Sequence, residues 1–560
     1  MFCPNCGFPY GPGDRFCGRC GAALPAREDA SPAPPSPEPS FPPPRPKRRL
    51  PRFVIPAVLV LAAAAGALTF FLTRPPQLDP SFGLYTDWFF SLLLNEDATQ
   101  LELWSGTERL LTLPAESAGI RSTTASFLDE DEPVLLLVDA EGDLYRADSK
   151  SCSMLAQQAQ SCSLSCDGST AVWVDGEHRL HFQQGDAPPV TAVEDAAYSA
   201  LLSYGGKSLV WETALIPDSG PRYYYLSLDG GQSQGLPADD ISPLLVTDSG
   251  TVYYVSMRSG SCHLYAWKGG ESTQITDCLS LSASLRFNQD GTQLLYVTED
   301  DSGASTWFYR EGEEPRRIGS FALNALCVPS YAEIHTTYVT DSPLAISQYN
   351  VSTLLEKVLD TDQGLWLLDR EAVASPVFPE STIPSAAYVS QDGNSLVVQT
   401  TGHSEANVLY RFDDLWGDPV SQVLAQGHIL SLLGASPDLS LLLYTLPAIP
   451  ENARDYYALR AGGEPVFLTQ GNEFAVVTSA NIICFASSSD DRAQLFLSDG
   501  VGAPIPLDLF IPVDSYFTVY ITQAGDQTLL RLGSGAVTYL FTVSPDGALT
   551  LLTTGINPAY

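Results

Sequence analysis

The chain is poor in the groups that most enzyme signatures are built from. Its 560 residues include only six His and three Met. No H-E-x-x-H, no G-x-x-x-x-G-K-[ST] and no G-x-G-x-x-G between a strand and a helix occurs, which removes zincin, P-loop and dinucleotide-binding chemistry. Basic residues are also scarce, 29 Lys+Arg against 65 Asp+Glu for a net charge of −36. Phosphate backbones would be repelled, so no nucleic-acid partner is expected. Three Met beside 25 Tyr suit a strand-rich, turn-rich protein better than a helical bundle. A mean hydropathy of +0.02 excludes a wholly disordered chain. The length exceeds one ordinary core, so several domains or a repeat array are expected.

What is present is unevenly placed. Residues 1–52 hold eight Lys+Arg and four Asp+Glu, a net of +4, and residues 53–73 hold no charge at all. The remaining 21 basic and 61 acidic residues give 74–560 a net of −40. Cysteine divides likewise, with four in the first 20 residues and seven between Cys152 and Cys484.

Cys3, Cys6, Cys17 and Cys20 form C-x2-C, ten residues, then C-x2-C. Two such turns can aim four thiolates at one tetrahedral centre, with Gly7 and Gly21 easing closure around a metal. So short a segment cannot bury enough apolar area to fold alone, so Zn2+ binding is expected to supply the folding energy. Two disulfides or a redox dithiol are the competing readings. Residues 1–24 resemble the short zinc ribbons at the N-termini of many bacterial membrane proteins. A closed four-cysteine set leaves no open coordination position, so the metal reads as structural.

Residues 25–52 read as a Pro-rich basic linker, more than half proline over 31–46, which suits an extended polyproline spacer. Residues 53–73 read as a transmembrane helix: 21 uncharged residues, long enough at ~1.5 Å per residue to cross a ~30 Å hydrocarbon core. Arg45, Lys47, Arg48, Arg49 and Arg52 precede the run and only Arg74 follows closely. The positive-inside rule therefore places a single-pass protein in the cell membrane, N-terminus cytoplasmic and C-terminal body extracytoplasmic. Ala65-Gly66-Ala67 has the form of a signal-peptide cleavage site, but the apolar run continues past it.

From about residue 82 a unit recurs: an aliphatic-aromatic strand, a Gly/Asp turn, and a second short strand, as in LYAWKGGESTQIT at 264 and YALRAGGEPVFLT at 457. A second hairpin type alternates with it, as in LRFNQDGTQLLYVT at 285 and AYVSQDGNSLVVQT at 387. One hairpin of each type per ~40 residues is the period of a four-stranded propeller blade. The fold class is therefore all-β, with residues 82–560 a β-propeller ectodomain. The Ser-x-Asp-Gly turns Ser390–Gly393 and Ser544–Gly547, with variants at Asn288–Gly291 and Ser436–Asp438, make the body similar to TolB-type and WD40-like propellers of bacterial envelope proteins. True WD40 Gly-His…Trp-Asp pairs do not recur. Roughly ten units fit, above the four to eight blades commonly seen, so irregular insertions, an unusually large ring and two rings stay open. LLEKVLDTDQGLWLLDREAV, within the 348–409 gap, reads as a short helix and an excursion. Leu549–Thr553 is expected to pair with Phe89–Leu103 and fasten the ring, and an Ig-like sandwich series is the rival fold.

Candidate chemistry is thin. Ser233 centres a G-x-S-x-G, but in a hairpin followed by Pro237 rather than a strand-to-helix elbow. His178 and His181 would lie on opposite faces of a strand. The acid runs Asp129–Glu132, Glu299–Asp301 and Asp490–Asp491 read as solvated turns. Asp360, Asp362 and Glu371 fit positions of a calcium loop in which Leu365 stands where Gly is required, so an EF-hand is rejected, and calcium in other acidic turns stays open. Among Cys152, Cys162, Cys166, Cys262, Cys278, Cys327 and Cys484, pairs Cys262–Cys278 and Cys152 with Cys162 or Cys166 are the disulfide candidates, against buried small hydrophobes. The eight Trp read as blade packing rather than a sugar platform. The expectation is a membrane-tethered, non-enzymatic binding or scaffold propeller with a protein or cell-wall partner, no catalytic residue, and Cys3, Cys6, Cys17 and Cys20 on zinc. The alternative is an envelope hydrolase or lyase acting on glycan or cell-wall polymers.

Overall fold

A computed structural model describes residues between 90 and 556, apart from a set of short segments linking the strands. The cysteine set, the linker and the 53–73 span lie outside the described residues. The chain divides into two units, residues 1–73 and 74–560, and the described residues all belong to the second. Every regular element among them is a strand. No helix among them is long and apolar enough to cross a membrane.

The strands come in chain-ordered antiparallel sets of four. These sets are blade 1 (122–156), blade 2 (159–193), blade 3 (200–235), blade 4 (241–279), blade 5 (284–319), blade 6 (323–376), blade 7 (383–427), blade 8 (431–471) and blade 9 (475–512). The tenth sheet joins Phe90–Asn95, Gln100–Ser105 and Glu108–Pro114 to the last four strands, 517–556. Its seam is Leu94 opposite Ile556 and Asn95 opposite Gly555, so the first and last described strands are fastened together, as the sequence predicts.

The order of burial follows from the second strand of each blade. In Val134–Val138, Leu135 and Leu137 pack toward the closing sheet while Leu136 and Val138 pack toward blade 2. In Leu441–Pro447, Leu442 and Tyr444 face blade 7 and Leu441 and Leu443 face blade 9. Strand side chains alternate faces, so a strand covered on both sides is apolar throughout rather than at every second position. Ten such clusters link each sheet to the next and return to the first. A cycle of ten blades with two packed faces each, blades 4 and 5 being joined where Leu279 pairs with Thr298, is a single ten-bladed ring, which resolves the surplus of repeats in favour of the large ring.

Two expectations are corrected. The segment read as a helix folds instead as the strands Lys357–Thr361 and Gly364–Leu368, because Val358, Leu359, Leu365 and Leu368 are the apolar positions of a two-face-buried hairpin. The excursion lies just upstream, where the hairpin Glu333–Tyr338 and Ala345–Tyr349 interrupts blade 6 and pairs, parallel, with the first strand of blade 5.

Candidate functional site

The turns between first and second strands all emerge at one end of the ring, because every blade is antiparallel and wound in the same sense. Blade 7 shows how sequence builds them. Ser390 N–H bonds to the Ser395 carbonyl and Gly393 N–H to the Ser390 carbonyl, both at 2.9 Å. The Ser390 hydroxyl donates to Asp392 Oδ1 at 2.6 Å and accepts Ser395 N–H at 2.8 Å. Gly393 takes φ 72°, where a Cβ is disfavoured. Ser165 with Asp167, Asn288 with Asp290, and Ser436 with Asp438 repeat the scheme. In the last turn Leu439 holds φ 53° in place of Gly, fixed by its burial in the blade 7–8 core.

Each turn also latches onto its neighbour. Gln391 N–H donates to Pro437 O at 2.6 Å and Gly205 N–H to Asp248 Oδ1 at 3.0 Å. Gln289 N–H reaches Val351 O at 2.8 Å, in the segment returning from the inserted hairpin. Tyr204 of blade 3 bonds to Gln289 of blade 5. Burial, then Cys166, Asp167, Asp248 and Asp290, push its phenol up to about 12. Burial and the same Asp167 and Asp248 push the Cys166 thiol up to about 12. Asp392 is held below the usual carboxylate range by the Ser390 hydroxyl and Asn394 N–H, so this turn stays charged near neutrality.

Several of the scarce cations are spent on partners within the ring. Arg146, Arg411 and Arg460, on third strands, donate to Gly168 O, Leu439 O and Asp499 O of the following blade at 3.2, 2.7 and 2.9 Å. Arg109 pairs with Glu102 at 2.7 Å and Lys268 with Glu311 at 2.8 Å. These five cations are thus committed to partners other than the four turn carboxylates, while Lys207 stands exposed in the corresponding turn of blade 3.

The other sequence candidates fall in separate places. Ser233 is exposed in the connection between Tyr223–Ser227 and Gln234–Gly235, a hairpin rather than a strand-to-helix elbow. His178 occupies a turn with φ 64° rather than a strand position, so the opposite-face argument does not apply to it. His181 is more than the exposed hairpin residue expected: its ring stacks on Trp173 (5.5 Å), Nε2 meets Asp175 Oδ2 at 2.9 Å, and Thr191 Oγ1 meets Nδ1 at 3.1 Å. Asp175 also accepts the N–H groups of Glu177 and Arg179 and the Arg179 guanidinium, so this chain of bonds closes the hairpins of blade 2. The register, Trp173 opposite His181 opposite Thr191, creates this row, and the sequence carries it only as spacing across two turns.

Cys152 and Cys262 are unbridged thiols, which corrects both disulfide candidates; Cys262 lies opposite Leu279 rather than Cys278. Cys484 is wholly buried in the blade 9 core, where burial raises its thiol to about 12. Asp360 is raised by burial, and Asp362 accepts Ala322 N–H instead of facing Glu371 across a loop. No cluster of three or more His, Cys, Asp or Glu able to hold a metal occurs among the described residues. Trp211, Trp267, Trp307 and Trp366 belong to blade cores or pack on them. Asp129–Glu132 and Asp490–Asp491 lie outside the described residues.

Sequence comparison matches residues 2–24 to the zinc-ribbon domain family. No curated protein matches the chain. Among solved structures, a eukaryotic initiation factor aligns at TM-score 0.34 and 10% identity, over 76% of this chain and 96% of that one. A tricorn protease aligns at 0.24 and 12% over 75% of this chain, and a prolyl endopeptidase structure at 0.25 and 13% over 77%. The alignments span 57% and 59% of those two proteins. Two of the similar structures are named as peptidases, which stands against the expectation of a non-enzymatic body. Likeness this distant lends this chain no activity of its own. The chain therefore carries an N-terminal zinc-ribbon domain followed by a ten-bladed all-β propeller.

Proposed function

We propose that the protein is a single-pass membrane protein whose ring is an extracytoplasmic binding or scaffold module and whose cytoplasmic ribbon holds a structural zinc on Cys3, Cys6, Cys17 and Cys20. The uncharged 53–73 run and its basic N-terminal flank support the anchor. The observation that carries the binding role is the turn face. Buried Ser and Asn anchors hold Asp167, Asp290, Asp392 and Asp438 at one end of a ring in which Arg146, Arg411 and Arg460 are committed to inter-blade carbonyls. Such a face selects a cationic protein or a cationic cell-wall component and steers its approach.

The test is binding of fluorescent oligolysine to the full chain, solubilised in a maltoside detergent, across a salt series. Replacing Asp167, Asp290 and Asp392 together by Asn keeps the turn acceptors and removes three charges. Affinity should drop at least tenfold and the salt dependence flatten. The control replaces the exposed Glu141, Asp195 and Asp301, in turns at the opposite end, by their amides. Equal loss in both triple variants, or in neither, would sink the proposal.

A further inference from the structure

The hairpin inserted in blade 6 lengthens blade 5 at its inner edge. First strands of successive blades touch one another, from blade 1 to blade 4 and from blade 5 to blade 9, so they stand nearest the ring axis. Val420 and Phe467, on fourth strands, are exposed at the perimeter. Ala345–Tyr349 pairs parallel with the first strand of blade 5, Ala345 opposite Ser284 and Gln348 opposite Phe287. Glu333–Tyr338 pairs antiparallel on its far side, Glu333 opposite Tyr349 and Tyr338 opposite Ala345. Both strands therefore stand in the central channel. Their return is fixed at the turn end. Gln348 Nε2 donates to Gln289 O at 2.6 Å, Asn288 Nδ2 to Ser352 O at 2.9 Å, and Leu354 N–H to Gln293 Oε1 at 2.7 Å. Tyr349, Leu354 and Leu355 are buried in the cluster between blades 5 and 6.

Packed sheets lie about 10 Å apart and paired strands about 4.8 Å, so ten inner strands enclose a channel on the order of 30 Å wide, and the hairpin extends about 10 Å into it. Among the described residues, Glu333–Tyr338 pairs with no strand on its inner side. Every second residue there turns its N–H and C=O toward the channel. The segment reads EIHTTY, rich in β-forming residues and without the Lys or Pro that guard solvent-facing edges. The ring wall supplies that protection instead. A 100-residue domain, with a radius of gyration of about 13 Å, is too wide for the remaining gap, whereas one extended chain fits. The mouth adds charge selection. Glu333 and Tyr349 lie at the turn end, since Val351 O accepts Gln289 N–H, and the turns that leave the first strands there carry Asp167, Asp290, Asp392 and Asp438. We propose that Glu333–Tyr338 takes up an extended cationic peptide by strand addition inside the channel. The cationic preference rests on the acidic turn face proposed above; the strand addition does not.

The experiment titrates the full chain in maltoside with two peptides of alternating Lys and Val, each bearing a diazirine at its centre. One is unmodified. The other is methylated at every backbone nitrogen, which keeps its charge and removes its capacity to pair as a strand. Calorimetry gives the affinities, and mass spectrometry after irradiation gives the contact. The unmodified peptide should bind at least tenfold more tightly and crosslink within residues 333–338. Equal affinities, no binding of either peptide, or crosslinks confined to the turns and perimeter overturn the proposal. The variant with Asp167, Asp290 and Asp392 replaced by Asn separates the two readings. It should weaken both peptides while the preference for the unmodified one persists. A failed turn face leaves both affinities unchanged in that variant, whereas a failed strand edge abolishes the preference in the parent chain.

Discussion

Asp175 shows how one side chain can hold a blade's periphery. Burial tends to raise its pKa, but His181, two turn N–H groups and Arg179 overcome that and hold it at about 2, against an ordinary 3.8. A carboxyl whose folded value is depressed contributes stability above its unfolded value and loses it as pH falls through the folded one. The window here is therefore about pH 4 down to about pH 2. Because Arg179 and part of the site are solvent-exposed, the contribution is on the order of 1 kcal/mol rather than the full linkage value. Urea midpoints measured across that range should fall less in Asp175→Asn than in the parent chain. Identical pH slopes would show that this network contributes no linkage. The Thr191–His181–Asp175 row is invisible as a unit in the sequence, because what aligns it is register across three strands.

At the scale of the element, the second strand carries the fold. It is apolar on both faces, so it stitches two hydrophobic clusters at once. Leu443 is wholly buried between blades 8 and 9. Leu443→Ala should destabilise by about 2–5 kcal/mol, through lost transfer energy plus a cavity that two rigid sheets cannot close. Val420, 64% exposed on an outer strand, is the comparison: its change to Ala should stay within about 0.5 kcal/mol. Guanidinium midpoints at unchanged m-value decide it, and equal effects at the two sites would refute the hierarchy of strands. The same logic explains why the helix expected near residue 360 is absent. Leu-rich runs such as those around 354–368 are compatible with a buried helix or a doubly buried strand, and periodicity cannot separate them.

At the scale of the molecule, closure and charge matter together. Ten blades leave each sheet two neighbours and no free face, and the Leu94–Ile556 seam completes the cycle. The acidity that closure displays at the turn end suits an exported module, and orientation has a direct check. Protease added to intact cells should digest the ring and any C-terminal tag while sparing a fragment containing residues 1–52. Protection of the C-terminal tag in intact cells, with loss only after lysis, would reverse the proposed topology.

Part of this protein is legible from local chemistry alone. The paired C-x2-C turns, the uncharged run, the strand periodicity and the Ser-x-Asp-Gly anchors each act within a few residues, so spacing suffices to read them. The repeat period likewise announces propeller blades, and the pairing of the two ends follows from closing such a ring. Blade count, the inserted hairpin against blade 5 and the unbridged Cys262 were decided only by tertiary structure. Each depends on which sheet packs beside which and on strand register, quantities set by the summed burial of side chains far apart in the chain.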